Sequence, residues 1–147
     1  MKSPANCLLP AELTADPSGS TDANGYEFIG RHMVANYVGC DPAALRDLDG
    51  LEATMKRAVE ASGATFLKSA RHVFPPDGLT MVMLLSESHA SIHTYPEHNS
   101  CFLDLFTCGL ACRAECFDAV MREYLRPSQV NVSTLIRHSG IEHDESP

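Results

Sequence analysis

Between positions 41 and 63 the apolar residues Leu45, Leu48, Leu51, Met55 and Val59 recur at steps of three and four. That spacing lines a single face of an α-helix. Asp41-Pro42 supplies an N-cap and a first-turn proline, and Gly63 a stop. A helix apolar along one stripe must lie on another element, and the flanking segments show which kind. Residues 28–39, 64–74 and 100–107 are rich in β-branched, aromatic or alternating apolar residues, and 79–85 is an unbroken apolar run of strand length. Pro75-Pro76-Asp77-Gly78 is a turn by composition.

After position 111, Phe117, Val120, Met121, Tyr124 and Leu125 form a second helical stripe that Pro127 stops, and Val130, Val132, Thr134 and Ile136 alternate as a last strand. Residues 86–99 receive no element. The order strand, helix, strands, helix, strand predicts an α+β fold: a two-layer sandwich with an antiparallel sheet and two helices on one face. Such a sheet keeps a second face to cover, which predicts a dimer. A flexible N-terminal arm (1–25), rich in Pro, Gly, Ser and Asp, precedes a single domain (26–138), and a polar tail (139–147) follows.

The net charge of -8 argues against nucleic acid or an anionic membrane as partner, since both reward clustered Lys and Arg. No apolar run approaches the roughly 18 residues of a membrane span, and the first 20 residues lack the form of a secretory signal. The expected location is the cytoplasm, with the six cysteines (7, 40, 101, 108, 112, 116) reduced. The sequon Asn131-Val132-Ser133 then carries no sugar.

Reactive side chains concentrate in Ser86–Glu97, SESHASIHTYPE, directly behind the apolar run. A metal site is one reading, because His89, His93, His98, Cys101, Cys108, Cys112 and Cys116 follow one another closely. Structural zinc, however, draws on close pairs such as C-x2-C, and none occurs, so no metal is expected. Cys112 and Cys116, four apart on the predicted helix, read as core, and His32, His72 and His138 belong to no motif. A serine hydrolase is a second reading, from Ser88 and His93, but the G-x-S-x-G turn is missing. What distinguishes Ser88 is its place just past a buried strand. A serine held in a strained turn there can attack its own preceding carbonyl, convert the Glu87-Ser88 amide to an ester, and eliminate across its Cα–Cβ bond.

GRHMVANYVGCD at Gly30, EASGAT at Glu60, SESHASIHTYPE at Ser86 and DLFTCG at Asp104 occur in an order and spacing that resembles the bacterial and archaeal S-adenosylmethionine decarboxylase proenzymes. The resemblance fades after Gly109. It implies self-cleavage between Glu87 and Ser88 into a β chain (1–87) and an α chain (88–147), with Ser88 becoming a pyruvoyl group. That group would form a Schiff base with the substrate and accept the electrons released by decarboxylation, as pyridoxal phosphate does, with no added cofactor. The resemblance also implies His93 as proton acceptor in processing and Cys108 as proton donor in catalysis. An ordinary imidazole and an ordinary thiol suit those tasks near pH 7.

The same resemblance places Phe74 and Tyr95 against the adenine and Glu97 on the ribose hydroxyls, and gives Thr80 a supporting part in processing. Two positions depart from the family pattern: Tyr95 stands where tryptophan is usual, and Thr80 where serine is. The implied activity is release of CO2 from S-adenosylmethionine to give the aminopropyl donor for spermidine biosynthesis. Arginine or ornithine decarboxylation on the same fold is the alternative, and a non-catalytic binding protein a remote one. A homodimer of cleaved protomers, with a site shared between them, is the implied assembly.

Overall fold

The computed structural model describes residues 26–109 and 111–138; the expected arm (1–25) and tail (139–147) lie outside the described residues. The chain runs β1 (Tyr26–Val38), α1 (Pro42–Arg46), α2 (Leu48–Ala61), β2 (Phe66–Phe74), β3 (Gly78–Leu85), β4 (Ser88–Tyr95), a 3-10 turn (Pro96–His98), β5 (Ser100–Gly109), α3 (Ala114–Leu125) and β6 (Gln129–His138). The six strands form one sheet in the order β2-β3-β4-β5-β1-β6. Every neighbouring pair is antiparallel. This is the expected α+β sandwich, and no helix among the described residues is long and apolar enough to cross a membrane.

Strand alternation divides the sheet into two unlike faces. Met33, Ala35 and Tyr37 of β1, the odd residues 79–85 of β3, Ala90, Ile92 and Thr94 of β4, and Cys101, Leu103 and Leu105 of β5 are buried. They share one core with Leu51, Met55 and Val59 of α2 and Phe117, Met121 and Leu125 of α3. Each large side chain so buried contributes on the order of 1.5–3 kcal/mol. Tyr37 anchors the layer to α3 by donating its hydroxyl to an Asp118 carboxylate oxygen at 2.6 Å. Among the described residues no helix covers the opposite face, and Leu84, Phe102 and Leu135 on it are about half exposed, at 51%, 50% and 55%.

Two elements differ from the sequence expectation. The helix expected across 41–63 breaks at Asp47, which ends α1 and caps α2. Its carboxylate accepts from the Gly50 N–H at 3.0 Å and from the Tyr124 hydroxyl at 3.1 Å, so the local side-chain bond and the contact to α3 outcompete a continuous helix. Because Leu45 and Leu51 are buried on both sides of the break, the apolar periodicity carries through it. The second difference is β4, where no element was expected. Its buried Ala90, Ile92 and Thr94 alternate with polar residues that face the open side.

Candidate active site

The turn between β3 and β4 is two residues long, Ser86 and Glu87, and two neighbouring segments, the loop at Thr65 and β5, hold it in place. The Thr65 N–H and hydroxyl donate to the two Glu87 carboxylate oxygens at 2.9 and 3.2 Å. The Ser86 N–H donates to the Thr65 carbonyl at 3.0 Å, and the Cys108 N–H donates to the Glu87 carbonyl at 3.0 Å. Gly109 makes room for this arrangement: a Cβ there would lie 2.8 Å from both Glu87 Cγ and Cys112 Sγ. Favoured two-residue hairpins place positive φ on the loop residues. Here it falls on Ser88, at 149°, a conformation that costs a residue with a side chain about 1–3 kcal/mol.

Ser88 opens β4 opposite Leu85 and Thr107. Its hydroxyl lies 3.0 Å from Nδ1 of His89. Cys108, one position beyond Thr107 and half-buried, carries a free thiol and faces the open side by alternation. Burial, and next the nearby Glu87 carboxylate, push the neighbouring Cys112 thiol up to about 11, so it stays protonated at neutral pH.

Farther along β4 a second group assembles. His93 stands opposite Thr80 of β3, with Nδ1 2.5 Å from the threonine hydroxyl. Its ring lies 4.6 Å from the Tyr95 ring and 5.9 Å from the Phe74 ring. Tyr95 in turn meets the exposed Phe102 ring at 5.3 Å. Glu97 is exposed in the 3-10 turn directly after the strand.

The predicted site residues thus fall into two groups, Glu87, Ser88 and Cys108 at one end of β4 and Phe74, Thr80, His93, Tyr95 and Glu97 toward the other. His93 is five residues from Ser88 along an extended strand, a span of roughly 16 Å at 3.3 Å per residue. Within one chain the two groups do not meet.

Sequence reasoning missed a third set. Asp104 of β5 accepts from the Ser91 hydroxyl at 2.6 Å and lies 3.3 Å from His32 Nε2 and 3.9 Å from His89 Nε2. The Phe106 ring borders both imidazoles, at 5.3 Å from His32 and 5.7 Å from His89. The missing signal was β4 itself: once 88–95 is a strand, His89 and Ser91 share its open face with Asp104 next door. Among the described residues no three His, Cys, Asp or Glu side chains converge as a set for a metal ion.

The remaining cysteines are structural in position. Cys40 and Cys101 share a side-chain hydrogen bond in the core, which draws the Cys40 thiol down and, with burial, pushes Cys101 up. Cys116 is disulfide-bonded, which corrects the expectation of reduced cysteines throughout.

A family model described as S-adenosylmethionine decarboxylase matches residues 31–138. The S-adenosylmethionine decarboxylase proenzyme of Methanococcus maripaludis is 38% identical over 109 residues, 74% of this chain and 89% of the relative. A proenzyme of the same name from Bacillus cereus is 36% identical over 115 residues, 78% of this chain and 94% of the relative. The crystal structure of the adenosylmethionine decarboxylase from Aquifex aeolicus superposes with a TM-score of 0.68 at 30% identity, covering 81% of this chain and 97% of that one.

Proposed function

The chain belongs to the S-adenosylmethionine decarboxylase family, and on that premise we propose that it cuts itself at Glu87-Ser88 and then decarboxylates S-adenosylmethionine with the pyruvoyl group so formed. The product is the aminopropyl donor of spermidine biosynthesis, made in the cytoplasm. The observation that carries this reading is the scissile bond. Its carbonyl already accepts the Cys108 N–H, and its serine is held at a φ of 149°. The hydrogen bond polarises the carbonyl and stabilises the oxyanion of a tetrahedral intermediate. Cleavage relieves the backbone strain at Ser88.

Processing continues by removal of the Ser88 α-proton, which expels the Glu87 carboxylate as the leaving group of an elimination; the enamine left at position 88 tautomerises to an imine, and water replaces its nitrogen, released as ammonia, to give the pyruvoyl group. The base is His93, oriented by the Thr80 hydroxyl. Because a span of roughly 16 Å separates the two within one chain, the His93 that serves Ser88 comes from a second copy. A homodimer packed through the open sheet face brings the two groups together and covers the half-exposed Leu84, Phe102 and Leu135.

The pyruvoyl group at position 88 supplies the electron sink for the carbanion left by loss of CO2. The chain's own residues do the rest. Cys108 donates a proton to the product carbon, and its thiol hangs from the strand position whose amide assists cleavage. Phe74 and Tyr95 offer ring faces to the adenine, and Glu97 accepts from the ribose hydroxyls.

Mass spectrometry of the purified protein is expected to show fragments 1–87 and 88–147, the latter beginning with pyruvoyl, and Ser88→Ala to remain whole. CO2 release is expected from S-adenosylmethionine. A chain that turned over arginine or ornithine and left S-adenosylmethionine untouched would overturn the substrate, and a cut Ser88→Ala chain the nucleophile. A purified wild-type chain that stayed whole would favour a non-catalytic binding protein.

A further inference from the structure

We propose that His89, whose far ring nitrogen lies 3.9 Å from the Asp104 carboxylate, is the base that takes the Ser88 hydroxyl proton and so starts self-cleavage. The inference rests on the reading that Ser88 cuts its own chain, and it divides that reaction between two histidines. His93 is opposite Thr80, roughly 16 Å along β4 from Ser88 in the same chain. His89 Nδ1 is 3.0 Å from the Ser88 hydroxyl, within reach for direct proton transfer.

The other edge of the His89 ring faces Asp104. One carboxylate oxygen of Asp104 is engaged by the Ser91 hydroxyl at 2.6 Å, which fixes the carboxylate's orientation. The other lies 3.9 Å from His89 Nε2 and 3.3 Å from His32 Nε2. The sequence hydroxyl, imidazole, carboxylate is the relay by which a serine is made nucleophilic elsewhere. His89 is therefore the reacting group, and Asp104 a positioning residue that stabilises the imidazolium while it exists.

The balance is closed. As Ser88 Oγ bonds to the Glu87 carbonyl carbon, its proton moves to His89 Nδ1, and the carbonyl electrons settle on the oxygen that faces the Cys108 N–H. The carbon–nitrogen bond then breaks, and the proton passes from His89 to the departing Ser88 nitrogen. The chain is left as an ester of Glu87 with the Ser88 hydroxyl and a free amine, His89 is neutral again, and nothing is consumed. The later elimination, which needs a base at the Ser88 Cα, is the step left to His93.

Hydroxylamine distinguishes the two assignments, because it cleaves an ester and leaves an amide intact. His89→Ala is expected to slow cleavage by about 10²-fold or more and to accumulate a 147-residue chain that resists hydroxylamine. His93→Ala is expected to accumulate a chain that hydroxylamine cuts at residue 87. Added imidazole is expected to restore cleavage of His89→Ala, and Asp104→Asn to slow the amide-to-ester step by about tenfold with the same resistance to hydroxylamine. Should His89→Ala prove insoluble, His89→Gln carries the same expectations except the rescue. Cleavage of a His89 variant within a few-fold of the wild-type rate overturns the proposal. So does accumulation of a hydroxylamine-labile ester, or a folded His89→Ala chain that imidazole leaves uncut. A wild-type chain that is never cut at Ser88 refutes self-processing instead, a different result from any of these.

Discussion

At its first residue β4 carries a serine in a strained conformation beneath a backbone amide; five residues on, it carries an imidazole against a threonine hydroxyl and two aromatic rings. The first end is built from a hairpin, β5 and the Thr65 loop, joined by backbone and side-chain hydrogen bonds. The second is a row of side chains on an open sheet face, with Phe74 44% exposed. One end has the bond proposed to be broken, and the other the rings and carboxylate proposed to take a nucleoside. In the proposed reading each end supplies what the other lacks, and the proposed dimer, an antiparallel two-fold pairing of sheets, would set one protomer's first end against its partner's second end.

The largest effect follows from breaking that pairing and rebuilding it. Ser88→Ala and His93→Ala chains, expressed separately, are expected to be inactive. Co-expressed, they are expected to recover about a quarter of wild-type activity, because random dimerisation makes half the dimers mixed and each mixed dimer holds one complete site. Differently tagged chains, purified as the mixed dimer and assayed for CO2 release, make the measurement. No recovery in a mixed dimer places both groups in one chain and sinks the shared site.

A smaller loss is expected from Cys108→Ala, and it should separate the two reactions. The variant keeps the N–H that binds the Glu87 carbonyl, so cleavage into 1–87 and 88–147 should proceed near the wild-type rate. Decarboxylation should fall by about 10²-fold or more, because the proposed proton donor is gone. Fragment masses and CO2 release on the same preparation report the two separately. A variant defective in both would mean that the thiol, and not only the amide, serves the hairpin.

At the second end, Thr80→Val removes the hydroxyl from His93 Nδ1 while keeping the shape, and costs about 1–3 kcal/mol at that contact. The expected result is slower processing, by about tenfold or more, with ester accumulating. Thr80→Ser should restore the rate. A Thr80→Val chain processed as fast as wild type would leave His93 oriented by something else.

The sequence announces the sheet and both helical faces because apolar periodicity survives local breaks, as Leu45 and Leu51 show on either side of Asp47. It hides β4 because the strand's buried half is small, Ala90, Ile92 and Thr94, while its open half is the polar string that reads as a catalytic loop. The resemblance points to Ser88, His93 and Cys108 as the proposed reactive residues, yet their closeness in sequence misleads: on a strand, five residues mean separation. Asp104 is illegible for the opposite reason. Its partners His32 and Ser91 are 72 and 13 residues away, and only the β1-β5 and β4-β5 pairings bring them to it.

The smallest expected effect tests how open the second end is. Tyr95 contributes a ring face 4.6 Å from His93 and 5.3 Å from Phe102, so its neighbours hold the ring upright beside the strand. An aromatic pair is worth about 0.5–1.5 kcal/mol beyond its buried area, so Tyr95→Ala should raise KM for S-adenosylmethionine roughly 3- to 10-fold with kcat little changed. Tyr95→Trp, which restores the larger ring usual in this family, should lower KM by a few-fold. Because Tyr95 also touches the ring of His93, the histidine proposed for processing, the comparison needs fully cleaved protein; a Tyr95→Ala chain that cleaves slowly but binds substrate normally would make the ring a support for His93 and not a platform for adenine.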